Sequence, residues 1–231
     1  MLPENSRIRL APPEEAEPHR AYIPTAHAIH WRSSFETDAE ANFESVRLKP
    51  GASVFMTKRA YVRCCAHAAS DLRNEVGGGL VGQRRVDANT GQPFIVVEAA
   101  LPARYTRQGS TFLTFTQDSL VALHDDLSER HSDKELLGWY HTHPHMGVFL
   151  SGYDVWLHKH FFPNPWQVAL VIEPYSSQGG FFIHQPDGQL DPRRYFGFYE
   201  LSKNGQRSVM YWRNLWLDTT PLPSEGGRQH E

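Results

Sequence analysis

The sequence predicts a single α/β domain in which a mixed β-sheet is sandwiched by helices. Three observations carry that prediction. Segments with apolar residues at helical spacing alternate with short runs rich in β-branched and aromatic residues. One run, Gln167-Val168-Ala169-Leu170-Val171-Ile172, is almost continuously apolar, the pattern of a strand covered on both faces. Finally, Asp87-Ala88-Asn89-Thr90-Gly91 is a turn between two strand-like runs, which reads as a hairpin. Strands interleaved with helices in this order form layers, with helices on the faces of a sheet.

The elements follow in order. Ser53 to Met56 is a short strand, and Thr57 is an N-cap for a helix carrying Tyr61, Cys65, Ala68 and Leu72 at helical spacing, so the helix is expected to end near Asn74. Glu75 then stands at a helix-to-strand junction, before a strand over 79–85 and its hairpin partner over 93–98. A polar loop, Arg104 to Ser110, precedes a strand over 111–115 and a helix over 118–130 with Leu120, Leu123 and Leu127 on one face. Leu136 to Tyr140 is the next strand. A loop over 144–150 leads to a helix that starts at Ser151 and runs to about His160. After the apolar run come a strand over 180–184 and two aromatic-rich strand candidates, 195–201 and 209–212.

A chain of 231 residues, forty per cent apolar, suits one domain with tails. Residues 49–201 are expected to form it, residues 1–48 a flexible or loosely docked N-terminal extension, and residues 202–231 a C-terminal segment that is partly packed, then flexible. Tyr22, Trp31, Phe35 and Phe43 argue against pure disorder in the extension. The formal charge is −3 with scattered basic residues, so no electrostatic footprint for nucleic acid exists. The N-terminus lacks the apolar core of a signal peptide and no later run approaches a membrane span, which gives a cytoplasmic expectation. Cys64 and Cys65 are adjacent, with Cα atoms about 3.8 Å apart, too close for an ordinary disulfide. They are expected as reduced thiols.

The chemistry concentrates in Trp139-Tyr140-His141-Thr142-His143-Pro144, followed by Ser151 and Asp154. Two histidines two apart at a strand end face the same side, and Asp154 can close on them as a third ligand. Two imidazoles and a carboxylate make a zinc site with one open position, where water becomes a nucleophile near neutral pH. Ser151 and Asp154 also have an ordinary reading, since S-x-x-D resembles a helix capping box. The two readings are compatible.

The spacing H-x-H, seven residues, S, two residues, D resembles the JAMM (MPN+) metallopeptidase signature. Glu75-Val76-Gly77-Gly78-Gly79-Leu80-Val81-Gly82 matches the family's glutamate ahead of a glycine-rich strand. Similarity extends over about residues 53–174. The resemblance implies the JAMM/MPN-like (cytidine-deaminase-like) fold, one catalytic Zn2+ on His141, His143 and Asp154, Glu75 as proton carrier, and Ser151 as donor to the oxyanion. The ordinary reading of Glu75 is a solvated charge, although a helix C-terminus disfavours an acid. Gly77, Gly78 and Gly79 lack a P-loop's spacing and lysine; they let backbone come close to the zinc site.

The substrate that the resemblance implies is the glycine-terminated tail of a ubiquitin-like protein, in deconjugation or precursor processing. Such a tail suits strand addition. Arg107, Gln108, Gly109 and Ser110 lie where some family members bind it. The stretch from Ser151 to Val168 is similar to bacterial members, several of which accompany activating and conjugating enzymes. The alternatives are a peptidase acting on a sulfur-carrier protein or other small substrate, and a non-catalytic MPN scaffold. A nucleobase deaminase would want H-x-E and P-C-x-x-C, which Cys64-Cys65 cannot supply. His158 and His160 lie about 200 degrees apart around a helix, so they cannot share an ion. They read as surface groups, and His145 as a solvated loop residue beside the site.

Overall fold

Adjacent residues of one strand feed two different cores. In the strand Glu135–Thr142, Trp139 belongs to an apolar cluster with Leu157 and Phe162, whereas Tyr140 belongs to another with Ala60 and Cys64. That alternation is what a pleated strand covered on both faces must show. The computed structural model describes residues 18–24, 28–37, 50–201 and 208–218.

The described elements, in chain order, are β1 (His19–Ala21), β2 (Ala28–Arg32), α1 (Ser34–Thr37), β3 (Ser53–Thr57), α2 (Lys58–Ala68), β4 (Gly77–Asp87), β5 (Pro93–Pro102), β6 (Arg107–Gly109), β7 (Phe112–Thr114), α3 (Gln117–Arg130), β8 (Glu135–Thr142), α4 (Gly152–Phe161), β9 (Val168–Glu173), β10 (Gln178–Phe182), β11 (Phe198–Leu201) and β12 (Trp216–Leu217). The main sheet runs β10-β9-β8-β4-β5-β3-β11-β2-β12, with β1 parallel to β4. It is mixed: β4 pairs antiparallel with β5 and β8, and β9 pairs parallel with β8. Helix α2 supplies Ala60, Tyr61, Cys64 and Ala68 to one core; α4 supplies Leu157 to the other; α3 packs Leu123 on Val81 and Leu101. This is the α/β sandwich expected from the sequence.

The β4–β5 hairpin turns where expected, with Thr90 N–H and hydroxyl donating to the Asp87 carboxylate. All six residues of β9 are buried, as its composition requires. Gly138 takes φ +147° inside β8, and a Cβ there would stand 1.9 Å from the Val168 carbonyl oxygen. Only glycine admits β9 so close at that point.

Several expectations need correction. Helix α2 ends at Ala68 rather than near Asn74, because the Asp71 carboxylate accepts the N–H groups of Arg73 and Asn74 and turns the chain. Leu72 is consequently exposed and Cys64, not Cys65, is the buried thiol; both are free. The polar loop over 104–110 contains β6, which pairs with β7 as a two-stranded ribbon. Residues 209–212 are not a strand: Tyr61 Oη donates to the Tyr211 carbonyl and accepts from its N–H, replacing a ladder, while Met210 and Trp212 enter the core.

The segment read as an extension contributes β1 and β2 to the main sheet, and buried Trp31 donates from Nε1 to Glu200 Oε2 at 3.1 Å. Residues 1–17 and Phe43 lie outside the described residues, as do 202–207 and 219–231. Among the described residues no helix is long and apolar enough to cross a membrane.

Candidate metal centre and active site

Strand β8 sits between β4 and β9, and its end is pinned on both sides. Thr142 N–H donates to the Val76 carbonyl, Thr142 Oγ1 accepts from Val76 N–H, and His143 N–H donates to the Ile172 carbonyl. His141 and His143 therefore leave the sheet from fixed backbone on the same face, both fully or almost fully buried. Gly77 pairs with His141 across β4, and a Cβ at Gly77 would meet the Tyr140 carbonyl oxygen at 2.4 Å and His141 Cβ at 3.1 Å. Glycine here keeps β4 tight against the histidine strand.

Asp154 reaches the same point from α4. Ser151 is the N-cap, its Oγ accepting from Asp154 N–H at 3.2 Å while Ser151 N–H donates to Asp154 Oδ2 at 2.7 Å. This capping box fixes the first turn of α4 and aims the carboxylate. Asp154 Oδ1 lies 3.5 Å from His141 Nε2, Oδ2 lies 3.5 Å from His143 Nε2, and the two Nε2 atoms are 3.0 Å apart. Burial works against the Asp154 charge, yet His141, His143 and Ser151 hold its carboxyl well below the usual carboxylate range. Burial pushes His141 toward the neutral form against the pull of Asp154.

Two buried imidazoles and an ionised carboxylate converging this closely form a donor set of the kind a divalent ion takes. Nδ1 of both histidines lacks a hydrogen-bond partner among the described residues, so the Nε2 atoms alone meet the group. The residues fit a metal ion with nitrogen and oxygen ligands.

Glu75 completes the cluster without joining it. It is 2 % exposed, with Oε1 3.9 Å from His143 Nε2, and it stands beside the converging group of His141, His143 and Asp154 rather than in it. Burial pushes its carboxyl up to about 7; His143 opposes the shift and Asp154 adds to it. The end of α2 is seven residues away, so the helix-dipole argument does not apply to Glu75; desolvation is the dominant influence. Its N–H donates to the Gly109 carbonyl at 2.9 Å, anchoring the β6–β7 ribbon beside the cluster.

Residues 49–162 match the family described as JAB1/Mov34/MPN/PAD-1 ubiquitin protease. They are a JAB/MPN domain. Its matched interval includes Glu75, His141, His143, Ser151 and Asp154. Among curated relatives, COP9 signalosome complex subunit 5 of Caenorhabditis elegans is 30% identical over 142 residues, 58% of this chain and 37% of that protein. Ubiquitin carboxyl-terminal hydrolase RPN11 of Saccharomyces cerevisiae is 28% identical over 129 residues, 55% of this chain and 40% of that protein. The chain thus spans less than half the length of these two relatives. A solution structure of protein DSY2949 from Desulfitobacterium hafniense covers 65% of this chain and 94% of its own, at TM-score 0.47 and 23% identity.

Within the JAB/MPN domain two neighbours of the cluster were not expected. Trp139 stacks on His141 with ring centroids 4.4 Å apart, and His158, read as a surface residue, is buried. Both were findable: Trp139 is two residues before His141 on one strand face, and His158 is four after Asp154 on one helix face. His160 is exposed, as expected. His145 is exposed at φ 63°, its ring stacked on Tyr175 and its N–H donating to buried Glu173.

Proposed function

We propose that the chain is a zinc-dependent JAMM isopeptidase or peptidase that hydrolyses the bond after the C-terminal glycine of a ubiquitin-like modifier. The observation that supports this most is the buried convergence of His141, His143 and Asp154 with Glu75 beside it. His141, His143 and Asp154 would hold the ion. When bound, it supplies Lewis acidity toward a carbonyl and makes water nucleophilic near neutral pH.

The remaining steps belong to side chains. Glu75, desolvated and pushed up to about 7, takes a proton from the attacking water and delivers it to the leaving amine as the C–N bond breaks. Ser151 Oγ accepts from Asp154 N–H, and its own hydrogen, drawn to the Asp154 carboxylate in this state, would turn to donate to the oxyanion of the tetrahedral intermediate. The ribbon over Arg107, Gln108, Gly109 and Ser110, whose Gly109 carbonyl is held by Glu75 N–H, would offer its other backbone groups to an extended tail, and a glycine-terminated tail is slender enough to lie there. The partner would be that modifier, with activating and conjugating enzymes upstream of it in the bacterial setting that the sequence resembles.

The test is incubation of the full chain with a ubiquitin-like modifier carrying a C-terminal extension, with and without a zinc chelator, beside Glu75→Gln. Release of the extension after the terminal glycine that needs both zinc and Glu75 supports the reading. Full activity of Glu75→Gln, or cleavage insensitive to the chelator, overturns the mechanism. Cleavage of a sulfur-carrier protein alone moves the substrate to that class.

A further inference from the structure

Trp139 and His158 are buried polar groups that the proposed chemistry does not use. Trp139 Nε1–H donates to His158 Nδ1 at 3.0 Å, with both side chains buried. This fixes the tautomer: Nδ1 is the acceptor, so in the neutral ring Nε2 carries the hydrogen. The Trp139 indole lies face to face with His141, centroids 4.4 Å apart and planes 9° apart, and Phe162 backs it at 6.0 Å and 14°. His158 is therefore bonded to a ring that is itself stacked on a candidate ligand.

The positions of the four residues in their elements give the pairing its meaning. On β8, Trp139, two residues before His141, projects from the same face. On α4, His158 stands one turn after Asp154, so both face the sheet. The strand and the helix are thus joined at two places, through His141 with Asp154 and through Trp139 with His158. The first contact brings together groups that would share one ion. The second is a neutral hydrogen bond in an apolar cluster of Phe115, Phe162 and Leu157, where an unpaired indole N–H carries a full desolvation cost.

We propose that the Trp139–His158 hydrogen bond is a positioning element that sets the register of α4 against β8, and so the placement of Asp154 and the orientation of His141 for metal binding. Neither residue touches the ion or the reacting atoms. The inference rests on the metal-centre reading above. Its consequence is that the geometry of the ion's ligands depends on a pair outside them.

The test is metal affinity, measured by competition of Zn2+ with a chromophoric chelator, together with the visible absorption of the Co2+ form. His158→Leu removes the acceptor, His158→Gln keeps one, and Trp139→Phe removes the donor while keeping a stacked ring. His158→Leu and Trp139→Phe should each weaken Zn2+ binding about 10–100-fold and alter the Co2+ band. His158→Gln should stay within about threefold of wild type, and Trp139→Phe combined with His158→Leu should lose no more than His158→Leu alone. Wild-type affinity in folded His158→Leu overturns the inference while leaving the metal centre standing. Should His158→Leu fail to fold, Trp139→Phe decides on the same criterion. Absence of Zn2+ and Co2+ binding in the wild-type chain overturns the metal-centre reading and this inference with it.

Discussion

The backbone N–H of Glu75 donates to the carbonyl of Gly109 at 2.9 Å, so the proposed proton carrier and the β6–β7 ribbon share a hydrogen bond. The ribbon is held next to the cluster by the residue that would move the proton, and it pairs internally from Arg107↔Thr114 to Gly109↔Phe112. Replacing residues 106–110 with a Gly-Ser segment of equal length, whose greater backbone freedom would no longer hold the ribbon edge in an extended form, should raise KM for a glycine-tailed substrate. Loss of two backbone hydrogen bonds at about 1 kcal/mol each corresponds to more than about tenfold. Unchanged KM in steady-state kinetics removes the ribbon from substrate binding.

Ser151→Ala separates two functions of one hydroxyl. Loss of the N-cap should cost about 1 kcal/mol in chemical denaturation. Loss of a donor to the oxyanion should lower kcat by about 10²–10³-fold. Ser151→Thr, which keeps cap and hydroxyl, should restore both. A Ser151→Ala enzyme with normal kcat and reduced stability would leave Ser151 as a cap alone.

His158 gives the metal-free protein a pH signature. Burial, with His184 adding to it, pushes its pKa down to about 3, against an ordinary value of 6.5. Below pH 6.5 the unfolded chain takes up a proton that the folded chain refuses, so stability falls as pH drops from about 6.5 toward 3. Above 6.5 both forms are neutral and the contribution is complete. His158→Gln cannot titrate, and its denaturation free energy in chelator should fall less steeply over this window than that of wild type. Parallel curves would mean that His158 titrates normally.

Two glycine-to-alanine exchanges should have opposite signs. Gly138→Ala places a Cβ 1.9 Å from a backbone oxygen at φ +147°, and should lower stability by about 3 kcal/mol or prevent folding. Gly152→Ala, in the first turn of α4 with nothing within 4 Å of its Cβ, should gain up to about 1 kcal/mol. Thermal melts of the two variants check both.

What the sequence revealed and what it hid follow from distance along the chain. His141, His143 and Asp154 were legible because strand and helix periodicity fixes their directions over thirteen residues. Glu75 is marked by its place before the glycines, whereas a helix-end argument does not reach it, because α2 stops at Ala68 and the Asp71 carboxylate turns the chain through Arg73 and Asn74. His158 was misread because it was judged only against His160, not against Asp154 one turn before it. Strand β2 shows no strand period and only Trp31 as a sign of packing, since its partners are β11 and β12, and Trp31 meets Glu200 from 169 residues away. Long-range pairing of that kind leaves no period to read.

The seating of β8 between β4 and β9 bears on how this protein can be divided. The family match stops at residue 162, ahead of β9, which begins at Val168 and pairs with β8 from Gly138 to Thr142. A fragment cut at that match would bare the backbone edge of the strand that bears His141 and strip the buried faces of β9 and β10 from both cores. The smallest unit able to hold the histidines in place is therefore larger than the interval that the family match outlines.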